Sequence, residues 1–406
     1  MYFTVTTFGC KVNQYESSGI SEIMKQSGYI PAELTHSADI HIINSCAVTE
    51  NSVRKVKGLI SRIKRENPLT NVVLCGCFPK AFPVQAAETG ADTIVPGIFK
   101  GLDTIKPPPS PYSLYSPQSE RTRAFLKIQD GCNRCCAYCI IPKARGRVKS
   151  RSIDEIQKEA SFLAGVGHKE IVITGINICA YQSSLVKAVK AVAQIDGVRR
   201  VRLSSLEPDM ISEEDIISLA ECPELCEHFH LSLQSGSDTV LTRMNRKYTA
   251  REFAVQAETI MKHFPSAALT TDIIAGFPGE TEEEFAETLN FAKKIGFAKV
   301  HAFAFSPREG TAAAKMTGQL PKKLKAERVA QLQQLEGTMR ADFFERLIGT
   351  EREVLMETPF FGHTRCYTPI RTTVAYERNS IVEMTVTDAE RDYCTAISNS
   401  LNQCSS

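Results

Sequence analysis

The stretch DGCNRCCAYCIIP, residues 130–142, carries Cys132, Cys135, Cys136 and Cys139 within eight positions. Cys132, Cys136 and Cys139 are spaced C-x3-C-x2-C. Three thiolates on an iron–sulfur cluster leave one iron open to an outside ligand, where a fourth would close the site. Cys135 is then surplus and is read as a non-ligand. A zinc ribbon is the competing reading. It needs paired C-x2-C knuckles, and Cys136/Cys139 has no such partner pair later in the chain. Four more cysteines, Cys10, Cys46, Cys75 and Cys77, precede this stretch. The N-terminus MYFTVTTFGCKVNQ lacks the basic start and apolar run of a secretory signal, so a cytoplasmic chain is expected. Thiols stay reduced there, so 14 cysteines point to metal or redox chemistry and not to a disulfide framework.

Three regions must position these residues. Residues 1–112 alternate strand and helix: YFTVTTF, DIHIINSC and NVVLCGC read as strands. NQYESSGISEIMKQSG reads as a helix closed by Gly28, and TENSVRKVKGLISRIKREN as one capped by Thr49. Such alternation predicts a doubly wound parallel sheet, which binds ligands beyond the carboxyl ends of its strands. Cys10, Cys46 and Cys77 each lie just past a strand, so three distant cysteines converge on one place. KPPPSPYSLYSPQSE, 106–120, reads as an extended linker. A second βα series over 119–349 supplies six strands and predicts a partial or full parallel barrel with its chemistry at the strand C-termini, where Cys132, Gly175, Glu207, Gln234 and Gly276 fall. Its helices are expected at 153–165, 212–221 and 281–295, followed by a long polar helix. Residues 350–406 are rich in short β stretches and predict a small β-barrel.

Composition bounds the function. The chain of 406 residues is 43% hydrophobic and 23% charged with a net charge of +2, so any basic surface for nucleic acid is local. No apolar run is long enough to span a membrane.

A C-x3-C-x2-C set ending a first barrel strand resembles the radical S-adenosylmethionine superfamily. FGCKVNQYES, NSCAVTE, CGCF, DGCNRCCAYCIIPKARGRVKSR, LSLQSGSDTVLTRMNRKYT, DIIAGFPGETEEEF and FSPREGTAA together resemble its methylthiotransferase family, in the same order along nearly the whole chain. The resemblance implies two [4Fe-4S] clusters. One, on Cys132, Cys136 and Cys139, binds S-adenosylmethionine and cleaves it by one electron to a 5′-deoxyadenosyl radical. The other, auxiliary, sits on Cys10, Cys46 and Cys77. Cys75 and Cys77 would share a strand face, so the choice of Cys77 comes from the family's pattern in CGCF. The implied reaction replaces the hydrogen on carbon 2 of a modified adenine with a methylthio group. One S-adenosylmethionine gives the methyl and a second the radical. GCKVNQ is similar to the branch that acts on N6-threonylcarbamoyladenosine at tRNA position 37. The branch acting on isopentenyladenosine reads closer to GCQMN, and that acting on a ribosomal-protein aspartate closer to GCPKN. Partners implied are tRNA, an electron donor such as flavodoxin or ferredoxin, and a sulfur donor of unspecified identity. A reading of another class is a non-enzymatic, zinc-dependent RNA-binding protein.

The resemblance further implies that Gly175 and Asn177 contact the methionine end of S-adenosylmethionine, although a tight turn would also use a glycine there. Glu207, Gln234, Arg246 and Asp272 are polar residues near strand ends. Each is a candidate for cofactor or substrate contact, or for a cap or buried ion pair. The loop Gly276–Gly279 reads as a turn before a helix capped by Thr281. Residues 121–151 hold nine Lys or Arg against one acid, Asp130, and are expected to bind the tRNA backbone. A helix over 50–65 carries Arg54, Lys55, Lys57, Arg62, Lys64 and Arg65, which fits equally an RNA surface or an ordinary solvated face. The C-terminal piece resembles a TRAM domain, an RNA-binding barrel. Acids outnumber arginines there, leaving Arg365 and Arg371 as local contacts.

Overall fold

The computed structural model describes residues 1–32, 38–97, 116–118 and 121–398. The expected linker and both edges of the gap between the first two expected regions fall largely outside them.

The N-terminal unit is a parallel sheet of β1 (Tyr2–Thr7), β2 (Ile30–Pro31), β3 (Ile40–Ser45), β4 (Asn71–Gly76) and β5 (Thr93–Ile94), in the order β2-β1-β3-β4-β5. Helix α1 (Lys11–Gln26) covers one face through Ile20, Ile23 and Met24. Helix α2 (Glu50–Glu66) covers the other through Val53, Val56, Ile60 and Ile63, which recur at helical spacing and form one apolar stripe. Thr49 caps α2, its hydroxyl accepting from the Ser52 amide at 3.2 Å. Two short helices, α3 (Cys77–Ala81) and α4 (Pro83–Ala87), follow β4. The turn into α3 needs Gly76: its φ is +96°, and a Cβ there would lie 2.4 Å from Asn44 Oδ1.

The second unit opens with β6 (Arg123–Lys127). A small antiparallel pair, β7 (Gln129–Asp130) and β8 (Lys149–Ser150), then brackets the cysteine loop and α5 (Ile141–Arg145). After α6 (Ile153–Gly165) come β9 (Glu170–Thr174), α7 (Leu185–Ala193), β10 (Arg200–Leu203), α8 (Glu213–Ala220) and β11 (His228–His230). The series ends with α9 (Asp238–Arg243), α10 (Ala250–His263), β12 (Ala268–Ala275), α11 (Glu282–Ile295), β13 (Lys299–Ala304) and the long α12 (Lys322–Glu345). The strands form two parallel sheets, β10-β9-β6 and β11-β12-β13, linked by the parallel bridges Val201–Leu225 and Leu206–Leu231. β6 and β13 are not paired among the described residues, so the barrel is partial. Capping boxes at Ser152, Ser212, Thr249 and Thr281 start α6, α8, α10 and α11.

The C-terminal unit is a closed barrel of β14 (Glu351–Thr358), β15 (Phe361–Thr364), β16 (Pro369–Arg371), β18 (Cys394–Ser398) and β17 (Ile381–Ala389), in that order around it. Its interior joins Phe343, Phe344 and Leu347 at the end of α12 and just beyond, and Ala268 and Ala298 beside β12 and β13, in one core. No described helix is long and apolar enough to cross a membrane.

Candidate functional site

Cys10, Cys46 and Cys77 sit at the carboxyl ends of β1, β3 and β4, three adjacent strands. Cys10 is the N-cap of α1, with its thiol 3.4 Å from Asn13 Oδ1. Cys46 follows β3 and accepts from the Val48 amide at 3.4 Å. Cys77 begins α3 and accepts from Arg145 Nε at 3.0 Å. Burial pushes the Cys77 thiol up to about 12 against the pull of Arg145, and burial also raises Cys46; Cys10 adds to both shifts, so the three thiols share one field. Cys75 and Cys77 do not share a face, because β4 ends between them at Gly76. Cys75 turns into the core under α1 with Ile20 and Met24, and Cys77 into the core under α2.

The loop 131–140 carries Cys132, Cys136 and Cys139. Gly131 begins it at φ +72°, where a Cβ would meet the Arg147 carbonyl oxygen at 2.0 Å. The Cys132 amide donates to the Gly146 carbonyl at 3.0 Å and the Cys139 amide to the Cys136 carbonyl at 3.0 Å, folding the loop back on itself. Donors face the sulfurs: the Arg134 amide to Cys132 at 3.4 Å, Asn177 Nδ2 to Cys132 at 4.0 Å and an Arg246 Nη to Cys136 at 3.3 Å. Burial lifts Cys139 to about 12, and the neighbouring thiols of Cys136 and Cys132 add to it. Cys135 is exposed, and its thiol reaches only the Asn133 carbonyl oxygen, at 4.0 Å. In each set the thiols lie close enough to act on one another's charge, and N–H donors meet the sulfurs of Cys46, Cys77, Cys132 and Cys136. That is a thiolate donor set suited to an iron–sulfur cluster with one open iron, and its ligands would release protons on binding.

Helix α5 joins the two sets. It follows Cys139 directly, and Ile140 and Ala144 pack into the same core as Cys77 and Phe78. Arg145 pairs with Glu16 of α1, its second Nη at 2.9 Å, while Lys127 Nζ reaches Glu16 at 2.8 Å and Asp130 at 2.6 Å. Sequence reading missed Arg145 as anything but part of a basic run. Of that run, Lys127, Arg145 and Arg151 face inward to balance Glu16, Asp130 and Glu159. Arg123 and Arg134 pair with Glu357 and Asp209. The expectation that this run meets the tRNA backbone can therefore draw on Lys143, Arg147 and Lys149, the clearly exposed ones, together with Arg121 at the start of the run. Arg365 likewise donates inward, to the Leu225 carbonyl at 2.7 Å, whereas Arg371 is exposed and lies 4.3 Å over the Tyr393 ring.

The remaining candidates line the barrel mouth and lumen. Gly175 packs so tightly that a Cβ would lie 3.0 Å from both Gln129 Oε1 and its carbonyl oxygen. Gln129 Oε1 also accepts from the Asn177 amide at 2.9 Å. Asn177 is buried with its Oδ1 unpartnered. Arg246 forms a buried ion pair with Glu207 while also reaching Cys136 and, at 3.0 Å, the Tyr248 hydroxyl. Gln234 has φ +72°, and its amide donates to the Asp272 carbonyl at 2.8 Å. Asp272 lies in the lumen, 3.5 Å from His230 Nε2 and opposite His301 on β13. His230 is oriented by its Nδ1, 3.0 Å from Thr270 Oγ1. A cavity of about 800 Å³ runs from Cys10, Lys11 and Gly175 past Arg202, His230, Asp272 and His301 to Tyr367 of the small barrel. Sequence reading also passed over Lys11, His230 and His301. Lys11 is pushed down to about 8 by burial and by the charges of Arg202 and Arg123.

Residues 126–292 match the radical SAM superfamily, and residues 2–96 match the uncharacterized protein family UPF0004. The chain is 37% identical to the threonylcarbamoyladenosine tRNA methylthiotransferase MtaB of Thermotoga maritima, over 87% of this chain and 86% of that one. It is 32% identical to the tRNA-2-methylthio-N(6)-dimethylallyladenosine synthase of Acetivibrio thermocellus, over 87% and 80%. The fold resembles that of the radical S-adenosylmethionine methyltransferase TsrM of Kitasatospora setae, at a TM-score of 0.55 and 12% identity over 87% of this chain and 80% of that one. A partial parallel barrel with C-x3-C-x2-C at its mouth, a cysteine-bearing parallel sheet before it and relatives of this similarity along nearly the whole chain lead to one conclusion: the chain belongs to the radical S-adenosylmethionine tRNA methylthiotransferase family.

Proposed function

We propose that the chain converts N6-threonylcarbamoyladenosine at tRNA position 37 to its 2-methylthio derivative, with two [4Fe-4S] clusters. The observation that carries the reading is the opening of one cavity onto both Cys10 and the Gly175 turn beside Cys132. Cys132, Cys136 and Cys139 would hold one cluster and Cys10, Cys46 and Cys77 the other. When bound, the first supplies the electron that cleaves S-adenosylmethionine, and the second an open iron for sulfur.

The chain's own residues supply placement. Arg246, fixed by Glu207, Tyr248 and the Ser232 carbonyl, donates to Cys136. Gln129 locks the 175–177 turn, and the absent side chain of Gly175 is what lets Gln129 pack against that backbone. The unpartnered Oδ1 of Asn177 is an acceptor suited to the ammonium of S-adenosylmethionine. Arg145 supports Cys77 from the opposite unit, so the thiols of both sets are held on one rigid frame. Tyr367 and His363 of the small barrel line the far end of the lumen. The N-terminal sheet (1–112), the radical barrel (119–349) and the small barrel (350–406) then act as sulfur carrier, radical source and floor. The test is nucleoside mass spectrometry of tRNA bearing threonylcarbamoyladenosine, treated anaerobically with the full iron-loaded chain, S-adenosylmethionine, reductant and sulfide. The 2-methylthio product is expected. Conversion of isopentenyladenosine tRNA alone would overturn the substrate, and zinc in place of iron and sulfide would overturn the enzyme.

A further inference from the structure

Lys11 is the first residue of α1 and follows Cys10 directly. Its side chain lines the lumen cavity that also holds Cys10 and Gly175. It lines as well a second cavity of about 800 Å³ with Arg121, Arg123, Arg202 and Arg378. The neighbouring cations are tied down. Arg202 holds Glu170 through Nε at 2.6 Å and an Nη at 3.2 Å, and donates to the Arg365 carbonyl at 2.8 Å. Arg123 reaches Glu357 at 3.0 Å. The two guanidiniums lie 4.8 and 4.7 Å from the Tyr367 ring centre, which fixes them further. Among the described residues, no carboxylate lies within 4.0 Å of the Lys11 ammonium.

The helix end does not favour a cation here: the first turn carries the positive end of the helix dipole and prefers acids, and α1 has none there. An ammonium facing two arginines, with Glu170 already held by Arg202, has no carboxylate of its own in contact. Its flexible four-carbon stem suits capture of a carboxylate that arrives with a ligand. The threonylcarbamoyl group offers one, on the adenine edge that also carries the reacting carbon, with only N1 between the two substituted ring positions. An apolar N6 substituent would desolvate Lys11 and leave it unpaired, and a site built around a polar partner rejects an analogue lacking it.

We infer that Lys11, backed by Arg123 and Arg202, forms a carboxylate-binding subsite for the N6 side chain of the target adenosine, selecting an anionic substituent over an apolar one. This rests on the threonylcarbamoyladenosine reading and extends it to a named contact.

The test measures binding of anticodon stem-loops by the full iron-loaded chain. The stem-loops differ only at position 37, carrying threonylcarbamoyladenosine, its methyl ester, isopentenyladenosine or adenosine. The natural chain is expected to favour the acid over the ester by about tenfold or more. K11M should bring that ratio to within about twofold of unity, and K11R should keep most of it. Adenosine stem-loops report whether each variant retains its fold and backbone contacts. Because the readout is a ratio within one variant, a general loss of affinity does not imitate the effect. A K11M chain that still prefers the acid overturns the subsite while leaving the substrate reading intact. A natural chain that prefers and methylthiolates isopentenyladenosine overturns both.

Discussion

Cys135 stands one position from a proposed cluster ligand, yet its exposed thiol reaches only a backbone oxygen. C135A should therefore keep both iron loading and S-adenosylmethionine cleavage. C132A/C136A/C139A should retain one cluster's worth of iron and produce no 5′-deoxyadenosine; iron analysis and chromatography of the reaction check both. The auxiliary triad separates cleavage from sulfur transfer. C10A/C46A/C77A should still form 5′-deoxyadenosine with a strong reductant but no methylthio product, and C75A should behave as the natural chain. The spacing of the barrel cysteines was legible in the sequence because all three lie in one loop. The roles of the arginines around them were not. Glu16 lies 129 positions before Arg145, so nothing nearby in the sequence marks Arg145 as a buried partner and not a surface charge. Lys11 escaped for the opposite reason: it sits in a quoted motif, but only the folded lumen shows which cavity it borders.

The strands and helices were largely readable from apolar runs and caps. Thr49, Gly28 and Thr281 stand where capping chemistry put them, and all six barrel strands are present. What single-element reading could not supply was the docking between units. Arg200 and Arg202 on β10 donate to carbonyls of β14, β15 and the turn after it, and Glu170 on β9 holds them from below. Burial alone would raise the Glu170 carboxyl, but Arg202, Arg123 and Arg200 hold it down at about 2, below its ordinary 4.5. Because the folded value is the lower one, this group stabilises the fold fully above pH 4.5, and its contribution is lost as pH falls from there toward 2. E170Q strands buried guanidiniums and should cost about 3–5 kcal/mol at neutral pH. Its acid-side loss of stability should be shallower than that of the natural chain; thermal unfolding across pH measures both.

Across the whole molecule a net charge of +2 hides where cations reach solvent. With Lys127, Arg145 and Arg151 turned inward, the cations exposed beside the cysteine loop are Lys143, Arg147 and Lys149. K143E/K149E should weaken tRNA binding and flatten its dependence on salt, since each lost phosphate contact lowers the log–log slope by about one. An unchanged slope would show these lysines to be plain surface. The small barrel also borders the lumen. Through Tyr367, which lies against Arg123 and Arg202, it lines one end of a cavity whose other walls include the radical barrel and α1. A primary carbon radical strips hydrogen from almost any organic molecule it meets, so a leaking chamber would consume cofactor on buffer and on protein side chains. Shielding by Tyr367 would come from a module that carries none of the cysteines proposed to hold iron: Y367A should still cleave S-adenosylmethionine, but with more 5′-deoxyadenosine formed for every methylthio group delivered.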